Sequence, residues 1–215
     1  MKRDDLVKLT STINKESCPS SINFHCHTIC SDGSMAPLEL LEQAYSNKLK
    51  YLAITDHHNV NAHRLIKEKN LLRNFPKDSI ILVSGIEINC LLKGCLVHVL
   101  GLGINIESEF LRPYINSESP IGNDLNIKSV SNAIRKSGGI SFLAHPGRYR
   151  IPFNILIPEA HKNKIDGVEV WYDYSLNQIW EPSPFICEEV EKLTNQYKML
   201  KSCGTDSHGY TLLGR

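Results

Sequence analysis

Apolar runs of strand length recur seven times along the 215 residues, and segments of helical period separate most of them. The runs are SINFHCH (21–27), YLAITDH (51–57), ILVSGIEI (81–88), LVHVLGLG (96–103), GISFLAH (139–145), DGVEVWY (166–172) and KMLKSCGTD (198–206). Between them, APLELLEQAYSNK carries Pro37 as an early helical residue and an expected inward stripe of Leu38, Leu41, Ala44 and Tyr45. NAHRLIKEKNLLRN reads as a second helix. NDLNIKSVSNAIRKSGG reads as a third, stopped at Gly138 and Gly139, and PFICEEVEKLTNQYK as the last. Strands rich in branched apolar residues and alternating with helices predict parallel strands buried on both faces, so an α/β barrel or an open α/β sheet. In either fold, chemistry collects at the carboxyl ends of the strands.

A chain of this length fits one domain. Residues 1–21 read as an N-terminal extension, a helix or arm, and 22–215 as the domain itself. Residues 105–123 are polar, broken by Pro113 and Pro120, and read as a surface loop. A net charge of +1, from 24 Lys and Arg against 23 Asp and Glu, gives no global field for collecting nucleic acid or an anionic membrane. No stable nucleic-acid complex and no membrane contact are therefore expected, and any phosphate affinity must be local. Seven cysteines without a CxxC pair suit reduced thiols and a cytoplasmic setting. Cys26, between two histidines, is expected to point to the opposite side of its strand from them.

Placed on these strands, the reactive side chains converge. His25 and His27 share a face because strand side chains repeat every two residues, and Asp32 follows in the loop. His57 closes the second run, Glu87 sits late in the third, His98 lies in the fourth and His145 closes the fifth. Asp206 and His208 follow the seventh. So many imidazoles and carboxylates in one bowl, without matching Lys or Arg, would leave buried polar atoms unpaired or charges in conflict. Bound cations remove the conflict, and imidazole with carboxylate suits Zn, Mn or Fe. No cysteine belongs to the set, which argues against a structural zinc site. His58 is left out of it, and His63 and His161 are expected on helices, in solvent.

FHCHTICSDG, AITDHH, GIEI, VHVLGLGI, AHPGRY, GVEV and CGTDSHG, in this order, resemble the motifs of the PHP (polymerase and histidinol phosphatase) family of metal-dependent phosphoesterases. They look closest to its branch acting on nucleoside phosphates and RNA 5′ ends. The resemblance implies a distorted (β/α)7 TIM-like barrel and two to three divalent metals. His25, His27, Glu87 and Asp206 would hold the first, and a bridging Glu87 with His98 and His145 the second. Asp32, His57 and His208 would hold the third. It also implies hydrolysis of phosphomonoesters, or of nucleotide and oligonucleotide phosphoesters, by a metal-bridged hydroxide, with Asp32, His57, Glu87 and His208 assigned to the chemistry. Arg148, three residues after a ligand, is the candidate phosphate grip. Tyr149, Trp171 and Tyr172 are read as core or wall, with base stacking as the alternative. The helical insertion that the nucleotide-acting relatives carry is short or missing near 105–123. His58 stands where an aspartate often follows TDH. The competing readings are a metal-binding module without catalysis and an amidohydrolase, whose pattern also begins with HxH but commonly uses a bridging lysine.

Overall fold

All seven runs form strands in the computed structural model, which describes residues 1–214. They are β1 (Ile22–Asn23), β2 (Tyr51–Ile54), β3 (Ile81–Leu92), β4 (Cys95–Leu102), β5 (Ile140–Leu143), β6 (Gly167–Trp171) and β7 (Leu200–Cys203). Their order in the sheet is their order in the chain. Backbone bonds then join the last strand to the first. Phe24 N donates to Cys203 O and His27 N to Ser207 O, both at 3.0 Å, and Asp206 N donates to His25 O at 2.8 Å. The sheet is thus nearly closed, and the molecule is one α/β domain built on a distorted seven-stranded TIM-like barrel.

The distortion is a reversal. Parallel strands were expected throughout, but β4 runs antiparallel to both β3 and β5. The cause is local: β3 and β4 are joined by Lys93-Gly94, both at positive φ (55° and 73°), a two-residue turn that matches the twist of a hairpin. The remaining neighbours pair in parallel.

Among the described residues six helices surround the sheet: α1 (Arg3–Ser11), α2 (Pro37–Ser46), α3 (Asn61–Glu68), α4 (Ile127–Lys136), α5 (Phe153–Lys162) and α6 (Pro184–Gln196). In α2 the inward side is Pro37, Leu40, Leu41 and Ala44. Tyr45, expected inside, is exposed, so the stripe is rotated from the one predicted. α5 has a weak sequence signal because Pro158 interrupts its period. Residues 1–21 pack on the barrel, with Leu6, Ile13 and Cys18 inside the main apolar core. The polar stretch 105–123 holds short 3-10 turns and buries Leu111 and Tyr114. His63, expected in solvent, is buried: Gly85 N donates to its Nε2 at 3.0 Å, and Ile54 O lies 2.9 Å from the same atom. It shares the inward side of α3 with Ala62 and Ile66. Among the described residues no helix is long and apolar enough to cross a membrane.

Candidate metal centre

The rim at the end of β1 is shaped by close backbone approach. A Cβ on Gly204 would come within 2.5 Å of His25 N, and one on Gly33 within 2.5 Å of His27 O. Only glycine lets these loops lie against the two histidines. The loop carrying Asp32 is held by the buried Asp56 carboxylate. It accepts from Thr28 N and Thr28 Oγ1, both at 2.7 Å, and from Ser31 Oγ at 2.9 Å. His145 and Asp206 have positive φ (26° and 51°) although neither is glycine. Non-glycine backbone of this kind costs of order 1–3 kcal/mol per residue and concentrates at functional sites.

Glu87 stands at the centre, 1% exposed. Its Oε2 lies 3.1 Å from His25 Nε2, 3.1 Å from His27 Nε2 and 3.4 Å from His57 Nε2. Its Oε1 lies 2.8 Å from His98 Nδ1 and 3.2 Å from His145 Nε2. Asp206 Oδ1 is 3.3 Å from both His25 Nε2 and His27 Nε2, and 3.6 Å from His208 Nδ1. Asp32, half exposed at the mouth, reaches His208 Nε2 at 3.3 Å and His57 Nε2 at 3.8 Å through Oδ2, and His27 Nδ1 at 3.5 Å through Oδ1. The nine predicted residues thus lie in one bowl. Their donor atoms group as His25, His27, Glu87 and Asp206; as His57, Glu87 and His98; as His27, Asp32, His57 and His208; and, for His145, with His25 and Glu169. His145 meets the bowl through Glu87 Oε1, and His57 stands nearer the middle group than the expected partition had it.

These clusters are able to bind metal ions, and their chemistry fits that use. Both ring nitrogens of the fully buried His27 lack a hydrogen bond among the described residues, although carboxylate oxygens stand 3.1–3.5 Å away. A buried imidazole left so costs about 1–3 kcal/mol per unsatisfied atom. A cation drawing on its lone pair and on the facing carboxylates removes that cost. The proton affinities carry the same tension. Burial pushes His27 down, but Asp206 and Glu87 outweigh it and raise it to about 9. Burial likewise opposes charge on Glu87 and Asp206, yet the surrounding imidazoles, His25 foremost, hold both well below the usual carboxylate range. Burial, with His27 and His98 nearby, lowers His57 to about 4 against the pull of Glu87.

Three groups stand behind the bowl: Glu169, which the sequence reading missed, and Tyr149 and Tyr172, which it read as core or wall. The wholly buried Glu169 on β6 sits 2.9 Å from His25 Nδ1 through Oε1 and accepts from His145 N at 2.8 Å through Oε2. Its signal was a lone carboxylate between Val168 and Val170 in an otherwise apolar strand. Tyr149 Oη accepts from His98 N at 2.7 Å. Tyr172 Oη donates to Asp206 Oδ2 at 2.6 Å. Tyr149 and Tyr172 are therefore wall residues that hold ligand candidates. Arg148 Nη1 donates to the same Asp206 Oδ2 at 3.0 Å and to Tyr172 Oη at 3.1 Å, which leaves Nε and Nη2 without a hydrogen bond among the described residues. His58 belongs to none of the ligand groups among the described residues, and Asn89 N donates to its Nε2 at 3.4 Å. Cys26 Sγ faces Ala53 O at 3.1 Å, away from the histidines.

Comparison with known proteins gives this bowl a family. The model of the PHP domain matches residues 23–201. The chain belongs to the PHP domain family. Asp206 and His208 lie just past the matched stretch and join the PHP bowl by geometry. A 5′-3′ exoribonuclease of Haemophilus influenzae is 25% identical over 116 residues, which cover 54% of this chain and 40% of that protein. The 5′-3′ exoribonuclease Rnm of Salmonella typhimurium is 28% identical over 97 residues, or 45% of this chain and 32% of that protein. The matches to these curated relatives thus span well under half of their length. Among solved structures, a protein of Bifidobacterium adolescentis described as a metal-dependent phosphoesterase superposes with a TM-score of 0.70 at 19% identity, covering 89% of each chain. An amidohydrolase from Chromobacterium violaceum superposes with a TM-score of 0.71 at 18% identity, covering 88% of each. At these identities the two structures establish the shared PHP fold.

Proposed function

We propose that this PHP domain is a metal-dependent phosphoesterase acting on phosphomonoesters or on the phosphoesters of nucleotides and short oligonucleotide ends. The observation that carries the proposal is Glu87: a buried carboxylate with three imidazoles around one oxygen and two around the other. His25, His27, Glu87 and Asp206 would hold one cation, Glu87 with His98 and His145 a second, and Asp32, His57 and His208 a third. Divalent Mn, Zn or Fe suits such ligands. When bound, the ions supply a water nucleophile at neutral pH and offset the charge that builds on the phosphoryl oxygens. The chain's own part is positional. Glu169 fixes the His25 ring, Asp56 fixes the loop of Asp32, and Tyr172 and Arg148 occupy one oxygen of Asp206 so that the other faces the bowl. Arg148 keeps two guanidinium nitrogens for a phosphate. The relatives named 5′-3′ exoribonuclease favour a nucleotide or RNA substrate, and seven free thiols suit a cytoplasmic setting.

The test is phosphate release from p-nitrophenyl phosphate and mononucleotide release from 5′-phosphorylated short RNA, with added Mn²⁺ and metal counted on the same sample. Activity on either substrate, lost in His25→Ala and in Asp206→Ala, with close to three ions per chain, is the expected result. A metal-loaded protein inert on both, or one indifferent to those substitutions, would end the proposal.

A further inference from the structure

β3 and β4 do not stop at the rim. The hairpin continues past Glu87 and His98 to its turn at Lys93-Gly94, and its pairing sets Asn89 opposite His98 and Leu91 opposite Leu96. Directly opposed residues share a face, and that face alternates with the other every residue. The alternation is visible in the burial: Cys90, Leu92, Cys95 and Val97 are buried on one side, while on the other Asn89 and His98 are half-buried and Leu91 and Leu96 are 40% and 50% exposed. The open side is the one that carries Glu87 and His98, so it continues the wall of the bowl outward. At about 3.3 Å per residue, Asn89 stands about 7 Å beyond Glu87, and the leucine pair about 13 Å.

Two buried polar atoms at the first step have no partner among the described residues: Asn89 Oδ1 and His58 Nδ1. Since His58 Nε2 accepts from Asn89 N, its Nδ1 is left as the protonated nitrogen, so one atom accepts and the other donates. The wall is held in place rather than free. Arg150 Nη2 donates to Gly94 O at 2.7 Å, and Asn89 Nδ2 donates to Ser119 Oγ at 3.1 Å. Beyond His98 the paired positions of the open face are Leu91 and Leu96, and the turn that follows carries Lys93, with Arg150 bonded to Gly94 O.

We propose that this hairpin face is the leaving-group subsite of the centre. The substrate it fits is a phosphoester whose alcohol bears a hydroxyl close to the phosphate, facing Asn89 and His58, and a flat apolar body farther out, on Leu91 and Leu96. That is the chemistry of a nucleoside and not of a small polyol. The proposal rests on the phosphoesterase reading above.

The experiment compares a nucleoside monophosphate, 2-naphthyl phosphate and glycerol phosphate on wild type, Leu91→Ala/Leu96→Ala and Asn89→Ala. Both leucines are exposed, so their truncation leaves the fold intact, as a melting curve would verify. In the double variant the KM for the nucleotide and the naphthyl ester, relative to that for glycerol phosphate, rises about tenfold, with kcat little moved. In Asn89→Ala the nucleotide is affected and the naphthyl ester is not. Equal shifts for all three substrates, or a wild type that treats nucleotide and glycerol phosphate alike, would overturn it. A readout without turnover separates this proposal from the one beneath it. Saturation-transfer contact between a free nucleoside and the protein, lost in the double variant, supports the subsite even where no phosphate is released, and its absence in wild type counts against it.

Discussion

Replacing Glu169 by Gln tests whether the centre is built from behind. In wild type one carboxylate serves two ligand candidates at once: the His25 ring through Nδ1 at 2.9 Å and the His145 backbone N–H at 2.8 Å. With Nδ1 as donor to Glu169, Nε2 is the His25 atom that faces Glu87 and Asp206 and is left to a cation once it gives up its proton. Gln offers one acceptor where two are needed. If its oxygen takes His145 N–H, its amide N–H₂ meets His25 Nδ1, and the ring must move its proton to Nε2, the atom a cation needs. If its oxygen serves His25, the His145 N–H is left unpaired in the interior. Either way one hydrogen bond to a charged group is lost, worth about 1.5–3 kcal/mol. That corresponds to roughly tenfold to a hundredfold weaker metal binding, the range typical of groups that orient metal-ligating histidines. Calorimetric titration of the full chain with Mn²⁺ measures it, and circular dichroism and melting of the metal-free protein report on the fold. Glu189→Gln, which breaks only an exposed pair with Lys192, is the matched control and should change nothing. An E169Q protein that folds and binds Mn²⁺ within twofold of wild type would refute the reasoning.

Two further outcomes are expected. Because the metal-free His27 is raised to about 9, at pH 7 it holds a proton that an incoming ion must displace. His25, raised well above its ordinary value against burial by Glu169, Glu87 and Asp206, holds a second such proton. Mn²⁺ affinity should therefore rise by at least about tenfold per pH unit between pH 7 and 9, with proton release visible in buffers of different ionisation enthalpy; equal affinity at pH 7 and 9 would contradict it. Gly204→Ala would drive a methyl group into the His25 backbone. It should cost about 2–3 kcal/mol, or roughly 5–10 °C in Tm, and an unchanged melting curve would show that the loop yields freely.

The strands and most of the bowl were legible because both obey simple periods. Each apolar run is long enough to stand out, and His25 and His27, two apart, had to share a face. What was not legible lay where a residue's meaning depends on a partner distant in sequence. Glu169 looks like part of a strand until His25 and His145 are placed against it. Tyr149 and Tyr172 look like wall residues until their hydroxyls find His98 N and Asp206. His63 could have been read: it sits three residues before Ile66, on the inward side of its helix. Arg148 was legible as a residue of the centre, but its bond to Asp206 ties it to a ligand candidate as well as leaving it open to a phosphate.

The reversal of β4 shows how two sequence inferences can depend on each other. His98 is third in its apolar run. In a parallel strand that position lies near the amino end of the barrel, far from the rim where His57, His145 and His208 gather. Its place beside Glu87 requires the strand to run the other way, so that its first half is at the rim and His98 falls opposite Asn89. The assignment of His98 to the centre and the expectation of an all-parallel sheet were therefore incompatible, and the Lys93-Gly94 pair decides between them. A longer or helical connection there would restore the parallel direction and remove His98 from Glu87. The two-residue turn thus sets the composition of the centre as well as the course of the chain, and by carrying the hairpin past the rim it also builds the wall on which Leu91 and Leu96 stand.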